Sequence, residues 1–248
     1  MTFSASPRWY GDMYVLHFTP SKSPPKGTVF ILHGYPSLGR KNYDFAEVVA
    51  TNNYEVYVPH YPGLGLSNGQ FGFLTSYESV RKLIYAVKTN ENKKLSIIGH
   101  SWGGYLALLN SDLIDDTAIF LAPLPRLPTA VDFAKFYLTP GYNSNFESLE
   151  NFSEVLLAIA PEVTQHYSAT SLNEELLQMQ ILEKQRLESR PMLRILVIHG
   201  DNDIDIPIEF VDTTFKENWG QTIDVVNDDH NLDVVRRELY QRISVLFN

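Results

Sequence analysis

A short segment near the middle of the chain carries the residue types needed for nucleophilic catalysis. Residues 99–103 have the sequence Gly-His-Ser-Trp-Gly, which matches the pattern G-x-S-x-G. The apolar run at 95–98 predicts a buried strand before it, and residues 105–109 predict a helix after it. A sharp turn between strand and helix would present the hydroxyl of Ser101, which is therefore the candidate nucleophile. The alternatives are a chance match and a glycine-rich turn that binds phosphate.

A serine hydroxyl is a weak nucleophile and needs a base within hydrogen-bond reach. The candidate base is His230, because it follows the last predicted strand and precedes the last predicted helix, so its loop can carry the imidazole over the serine. The alternative for His230 is an exposed residue of a polar loop. We expect His33 and His199, which precede glycines at strand ends, to brace loops, and the side chain of His100 to point away from the serine.

The base in turn needs an orienting acid, and one loop offers three aspartates. Residues 200–207, Gly-Asp-Asn-Asp-Ile-Asp-Ile-Pro, follow another predicted strand. We select Asp203, which lies deepest in the loop, and Asp201 and Asp205 are the alternatives. The chain order Ser101, Asp203, His230 is the order that a nucleophile of this kind uses on an α/β sheet.

The tetrahedral intermediate of acyl transfer needs hydrogen-bond donors for its oxyanion. One candidate is the backbone N–H of Trp102, directly after the nucleophile. The other is the backbone N–H of Tyr35, in the loop after the strand predicted at 28–34. Losing one such donor typically lowers the rate by ~10²–10³.

The elements that must position these residues alternate between strand and helix. Strands are predicted at 28–34, 54–60, 95–98, 117–123, 194–200 and 222–226, helices at 42–52, 75–89, 105–109 and 232–247, and a hairpin or edge strand at 9–19. Thr75 or Ser76 is the expected N-cap of the second helix. This alternation predicts an α/β fold with a mostly parallel open sheet and helices on both faces. Ligands bind such sheets at the carboxyl ends of the strands, where the candidate residues lie.

One long segment interrupts the alternation. Residues 123–191 contain no convincing strand, whereas 130–138, 149–160 and 172–187 have helical patterns. We therefore predict a helical cap or lid at 123–191, inserted into a core of residues 1–122 and 192–248. Aromatic residues of this segment suggest an apolar acyl or aryl pocket: Phe133, Phe136, Tyr137, Phe146 and Phe152. The alternative is that the segment adds only packing.

Composition excludes several classes of protein. The 248 residues are 44% hydrophobic and 20% charged, which is ordinary for a globular protein. A net charge of −9 argues against nucleic-acid binding, and the absence of cysteine excludes disulfides and a cysteine nucleophile. We find no signal peptide and no apolar run near the ~18 residues of a membrane span, so we expect a cytoplasmic protein. A homodimer is compatible with the sequence.

Taken together, these motifs resemble those of α/β-hydrolase-fold serine hydrolases of the esterase, lipase and S33-peptidase-like group. The matching segments are His-Gly-Tyr-Pro at 33–36, Tyr-Pro-Gly-Leu-Gly-Leu-Ser at 61–67, Gly-His-Ser-Trp-Gly-Gly at 99–104, the loop at 199–207 and His-Asn-Leu at 230–232. They cover the chain from about residue 27 onward, apart from the cap, whose position is similar to that in the monoacylglycerol-lipase-like branch. The resemblance implies hydrolysis through an acyl-enzyme, without a metal or an organic cofactor.

The chain departs from the family pattern in one loop. His60-Tyr61 stands where the family usually has an aspartate before its Pro-Gly turn, so this loop is expected to be braced differently. The His-Gly-Tyr-Pro form also occurs in dehalogenase and epoxide-hydrolase relatives, but their nucleophile is an aspartate, whereas this chain has Ser101. The expected function is hydrolysis of a carboxylic ester, or of a thioester or amide, of a small or medium acyl substrate. The alternatives are acyl transfer, cyclisation or lyase chemistry on the same fold, and a catalytically silent ligand receptor.

Overall fold

An eight-stranded sheet forms the centre of the protein. The computed structural model describes residues 2–37, 39–90, 94–128, 152–188 and 193–248. The strands are β1 (Phe3–Tyr10), β2 (Met13–Pro20), β3 (Thr28–Leu32), β4 (Glu55–Pro59), β5 (Leu95–His100), β6 (Thr117–Leu121), β7 (Arg194–Gly200) and β8 (Asp224–Val226). Their spatial order is β1-β2-β4-β3-β5-β6-β7-β8. β1 and β2 pair antiparallel, as do β2 and β4, and the remaining neighbours are parallel.

The helices connect successive strands. They are α1 (Tyr43–Thr51), α2 (Phe73–Asn90), α3 (Trp102–Leu109), α4 (Phe152–Ile159), α5 (Pro161–Thr164), α6 (Ala169–Glu188), α7 (Ile208–Trp219) and α8 (Arg236–Leu246), with short 3₁₀ turns at Gly39–Asn42 and Ser111–Leu113. No described helix has the length and apolar character that crossing a membrane requires.

Helices cover both faces of the sheet because the central strands are apolar on both sides. In β3 the side chains of Val29 and Ile31 pack toward α1 and α8, whereas Phe30 and Leu32 pack toward α2, α3 and α7. This alternation follows from the two-residue period of a strand. All five residues of β3 are buried, as expected of a strand in the middle of a mostly parallel sheet. The predicted fold class is therefore confirmed.

The observed elements differ from the predicted ones mainly at their ends. The N-terminal hairpin is longer than residues 9–19, because β1 begins at Phe3 and pairs with β2 over its whole length. The last strand begins at Asp224 and the last helix at Arg236, each later than predicted. The second helix begins at Phe73, so neither Thr75 nor Ser76 is its N-cap.

The segment between β6 and β7, called here the β6–β7 segment, contains three helices and no strand among its described residues. Helices α4 and α6 correspond to the predicted helices at 149–160 and 172–187. The helix predicted at 130–138 lies outside the described residues, as do Phe133, Phe136, Tyr137 and Phe146. The division into a core and a cap at residue 123 stays a prediction.

Candidate active site

Ser101 sits in a strained turn between β5 and α3. Its backbone angles are φ 54° and ψ −121°, in a region that residues with a side chain rarely adopt. Such strain costs about 1–3 kcal/mol and persists only where the surrounding structure imposes it. The glycines on either side make the turn possible, because a Cβ at Gly99 would lie 2.3 Å from the Gly103 carbonyl oxygen, and one at Gly103 would lie 2.3 Å from the Leu32 carbonyl oxygen.

Ser101, His230 and Asp203 form one continuous chain of hydrogen bonds. The Ser101 hydroxyl donates to Nε2 of His230 over 2.8 Å. Nδ1–H of His230 donates to Oδ2 of Asp203 over 2.7 Å. The three residues come from the ends of different strands, which places them together although up to 129 residues separate them in sequence. This geometry matches the requirements for a nucleophile, a base and an orienting acid.

The Asp203 carboxylate is held from both sides. Its Oδ1 accepts the backbone N–H groups of Asp205 and Ile206 over 2.9 and 2.8 Å. His199, whose Nε2–H donates to the Ile206 carbonyl, lies 3.3 Å from Oδ2. Burial alone would raise the pKa of Asp203, but the bond from His230 and these neighbours lower it below its ordinary value. Asp203 therefore faces His230 as a carboxylate.

Several carboxylates act on the charge of His230. Burial disfavours the imidazolium, but the hydrogen bond and charge of Asp203, together with the charges of Asp205 and Asp229, raise the pKa of His230 above its ordinary value. Asp203 is the carboxylate that hydrogen-bonds to the imidazole among the described residues, whereas Asp205 is exposed and acts through its charge. The structure therefore favours Asp203 over the two alternative aspartates as the residue that orients the imidazole.

The same residues form the one cluster of potential metal ligands in the described part of the chain. Ligand atoms of Asp203, Asp205 and His230 lie within 4.8 Å of one another. However, both imidazole nitrogens of His230 already take part in hydrogen bonds to Ser101 and Asp203, and Oδ1 of Asp203 accepts two backbone N–H groups. The potential ligand atoms of Asp203 and His230 thus already take part in internal hydrogen bonds.

His100 has a role at the site that its position in the sequence does not reveal. Its ring lies 5.1 Å from the ring of His230, and its Nε2–H donates to the backbone carbonyl of His230 over 2.8 Å. Burial, and then the charge of His230, lower the pKa of His100 to about 3. A neutral imidazole therefore holds the loop that carries the base. Spacing gives no signal for this contact, because the partners are 130 residues apart.

The loop after β3 brings Tyr35 close to the nucleophile. A Cβ at Gly34 would lie 3.0 Å from Cβ of Ser101, so the backbone at residues 34–35 adjoins the reacting hydroxyl. The backbone N–H groups of Tyr35 and Trp102 donate to no protein acceptor in the described part of the chain. The Trp102 N–H also lies at the N-terminus of α3, where the helix dipole favours negative charge.

His33 fixes the orientation of this loop. Since a carbonyl oxygen can only accept, the 2.8 Å contact between His33 and the Gly34 carbonyl requires the proton on Nδ1 of His33. The imidazole is fully buried and stacks on the ring of Tyr61 at 4.0 Å, and the Tyr61 hydroxyl donates to the His33 carbonyl. Burial lowers the pKa of His33 to about 3. His33 is thus a loop-bracing residue, as its sequence position predicts.

Aromatic side chains pack together between this loop, α2 and the β6–β7 segment. The ring of Phe73 packs against Trp102 at 5.0 Å and against Tyr35 at 5.1 Å. Phe71 stacks on Tyr35, and Tyr167 lies 6.2 Å from Phe73. The hydroxyl of Tyr35 donates to a backbone carbonyl of α4. These rings connect both candidate oxyanion residues to the β6–β7 segment.

His60 explains the departure from the family pattern in its loop. Its Nδ1 accepts the backbone N–H of Leu66 over 3.1 Å, and Nε2–H donates to the Tyr43 hydroxyl over 2.7 Å. Burial lowers the pKa of His60 to about 4, so the imidazole is a neutral acceptor. A side chain at Gly65 would overlap the ring. His60 thus braces the 61–67 turn by accepting a backbone N–H, as a carboxylate would.

The sheet order, the strained serine turn and the position of the other residues after strand ends define the α/β-hydrolase class. Residues 23–209 match the family described as serine aminopeptidase, S33. Because this match covers more than half of the chain, the protein belongs to that hydrolase family. The resemblance noted in the motifs is therefore confirmed. Comparison with curated proteins gave no match.

Solved structures with this fold extend over nearly the whole chain. A monoacylglycerol lipase of Paleococcus ferrophilus has a TM-score of 0.67 at 20% identity, covering 95% of this chain and 98% of its own. An esterase of Exiguobacterium antarcticum has a TM-score of 0.63 at 16% identity, covering 95% and 96%. The Pyrococcus furiosus esterase has a TM-score of 0.61 at 16% identity, covering 98% and 89%. At these identities the likeness shows the fold alone.

Proposed function

We propose that the protein is a serine hydrolase that cleaves a carboxylic ester through an acyl-enzyme intermediate. The observation that carries the proposal is the chain of hydrogen bonds from Ser101 through His230 to Asp203. Ser101 is the nucleophile, His230 the general base and later the general acid, and Asp203 holds the imidazole in the tautomer with its proton on Nδ1. The solved esterases and the lipase of the same fold support an ester substrate.

Acylation follows from this geometry. As the Ser101 oxygen attacks the substrate carbonyl, its proton passes to Nε2 of His230, and the imidazolium then gives the proton to the leaving group. The carbonyl oxygen becomes an oxyanion, which accepts hydrogen bonds from the backbone N–H groups of Trp102 and Tyr35. In deacylation water takes the place of the serine, and His230 activates it in the same way. Each step uses only groups of this chain and water.

The substrate class depends on the β6–β7 segment. We propose that this segment, residues 123–191, is a cap that closes the site from above and shapes an apolar acyl pocket with the aromatic residues beneath it. Tyr35, Phe73 and Tyr167 support this role, because they join the loop beside Ser101 to α4 and α6. The proposed substrate is a small or medium acyl compound. Location in the cytoplasm and assembly as a homodimer stay predictions.

A panel of substrates tests the proposal. It contains p-nitrophenyl esters of graded acyl length, one thioester and aminoacyl p-nitroanilides, with Ser101→Ala as the blank. We expect ester turnover that Ser101→Ala and His230→Ala each reduce by orders of magnitude, without additivity in the double variant. Asp203→Asn should also lose most activity, whereas Asp205→Asn should keep it; the reverse result would show that Asp205 is the acid.

The same panel separates hydrolysis from its alternatives. An acyl-enzyme that accumulates and is resolved by an added alcohol or amine, but not by water, would indicate acyl transfer. If the folded wild type turns over no substrate, and Ser101→Ala binds ligands as well as the wild type does, the protein is a receptor. Preference for the anilides over every ester would make the substrate an amide.

A further inference from the structure

The N-terminus of α2 is capped by two residues of the β6–β7 segment. A helix leaves its first backbone N–H groups without partners inside the helix, and they need an acceptor. The residue before α2 is Gly72, which has no side chain to supply one. Instead, Oε1 of Glu175 in α6 accepts the backbone N–H of Leu74 over 2.5 Å, and the other carboxylate oxygen accepts the hydroxyl of Tyr167. The backbone N–H of Phe73 faces the same hydroxyl.

This arrangement suits a carboxylate in two ways. Negative charge is stabilised at the N-terminus of a helix, and hydrogen bonds to a charged acceptor are stronger than those between neutral groups. Burial, and then the hydrogen bond to Glu175 and its charge, raise the pKa of the Tyr167 phenol, so the hydroxyl keeps its proton and donates. The fit is tight, since a Cβ at Gly72 would lie 3.2 Å from the Tyr167 hydroxyl.

The first turn of α2 contacts the two residues that lie beside the nucleophile. Phe73 is the first residue of α2, and its ring packs on Trp102 at 5.0 Å and on Tyr35 at 5.1 Å. A shift of α6 relative to α2 would therefore move the Phe73 ring and, through it, Trp102 and Tyr35, which lie beside Ser101. The other end of α6 is attached independently, because Arg186 donates to the carbonyl of Leu109 and pairs with Asp112.

We propose that Glu175 and Tyr167 are specificity-determining positioning residues, which fix α6 against the first turn of α2 and thereby set the acyl-chain length that the site accepts. The inference rests on the proposed function of Ser101. Neither residue touches the reacting atoms, so their loss changes which substrate fits rather than how the reaction proceeds. Since Arg186 still anchors the far end of α6, the helix pivots instead of detaching.

The test compares Glu175→Ala and Tyr167→Phe with Glu174→Ala, which removes an exposed carboxylate at the neighbouring position of the same helix. For each protein, kcat and KM are measured on p-nitrophenyl acetate, butyrate, octanoate and laurate. In Glu175→Ala and Tyr167→Phe, we expect the ratio of the highest to the lowest kcat/KM among the four esters to fall about ten-fold, mainly through changes in KM. A change of this size is expected for loss of a hydrogen bond to a charged group. Glu174→Ala should keep the wild-type spread.

Hydrogen exchange gives a readout independent of catalysis. The peptide spanning Gly72–Ser76 should exchange faster in Glu175→Ala and Tyr167→Phe than in the wild type and Glu174→Ala. Should Glu175→Ala not fold, Tyr167→Phe, which removes one oxygen atom, carries the test alone. An unchanged acyl-length profile, an equal loss on all four esters, or a wild type without length preference would overturn the inference. Absence of any turnover, with exchange altered as expected, would instead refute the proposed function.

Discussion

Replacing His33 by leucine should lower kcat by about a hundred-fold, although His33 does not reach the substrate. Its Nδ1–H holds the carbonyl oxygen of Gly34 at 2.8 Å. That carbonyl and the N–H of Tyr35 belong to the same planar peptide unit and point in opposite directions. Fixing the oxygen therefore aims the N–H, which is one of the two donors proposed for the oxyanion.

The magnitude follows from counting donors. Loss of one oxyanion donor typically costs ~10²–10³ in kcat, and the Trp102 N–H remains in place at the N-terminus of α3. A misdirected Tyr35 N–H should therefore cost about 10². The donors act on charge that develops in the transition state, so KM should change little. Affinity for a boronic acid that mimics the tetrahedral intermediate should fall together with kcat.

Asparagine provides a matched control for leucine at this position. Its side-chain N–H can occupy the place of the Nδ1–H, whereas leucine has a similar shape and no donor. His33→Asn should keep kcat within about five-fold of the wild type, less than the loss of a whole donor, with thermal denaturation confirming that both variants fold. Equal kinetics for His33→Leu and the wild type, or equal impairment of the leucine and asparagine variants, would refute the argument.

Four further outcomes follow from the structure. The acidic limb of kcat/KM should lie above the ordinary histidine pKa of 6.5, because the pKa of His230 is raised and the base must be neutral; a limb below 6 would contradict this. Asp205→Asn should move the limb to lower pH in the same titration, since it removes a negative charge near the imidazole. Asp44→Asn should lower the free energy of unfolding by about 1–2 kcal/mol in urea at pH 7, as Asp44 accepts two hydrogen bonds from one arginine. Because the pKa of Asp44 is lowered in the folded state, this difference should decline once pH falls below the ordinary pKa of 3.8 and be lost below the folded-state pKa; a difference unchanged at pH 3 would contradict the role of the charge. Gly103→Ala should destabilise the protein by about 3 kcal/mol, because its Cβ would lie 2.3 Å from a backbone oxygen, and a normal melting temperature would argue against the tight turn.

Much of the sheet could be predicted from the sequence because its central strands contain uninterrupted apolar runs. Val29–Leu32 and Ile97–Ile98 are apolar without interruption, which is typical of strands buried on both faces. The positions of Ser101, Asp203 and His230 follow from this, since residues after parallel strands meet at one edge of the sheet. The loop sequence separates Asp203 less clearly from Asp201 and Asp205, and the structure favours Asp203 through its contact with His230.

What the sequence does not reveal are contacts between side chains and distant backbone groups. His100 supports the loop of His230, and Glu175 caps α2 across 101 residues, yet no local motif indicates either contact. The predicted start of α2 is wrong for the same reason. Thr75 and Ser76 have the side chains that local capping rules favour, but the acceptor comes from another part of the chain. Local sequence patterns indicate periodicity and turns, but they do not predict which hydrogen-bond partners come from distant parts of the chain.

The most direct test of the central claim is to treat the folded protein with a fluorophosphonate and locate the adduct by peptide mass spectrometry. The account predicts a single adduct on the peptide containing Ser101, formed at a rate that drops sharply in His230→Ala and absent in Ser101→Ala. Labelling at another residue, or a folded wild type that leaves Ser101 unmodified, would contradict the claim that this serine is an activated nucleophile.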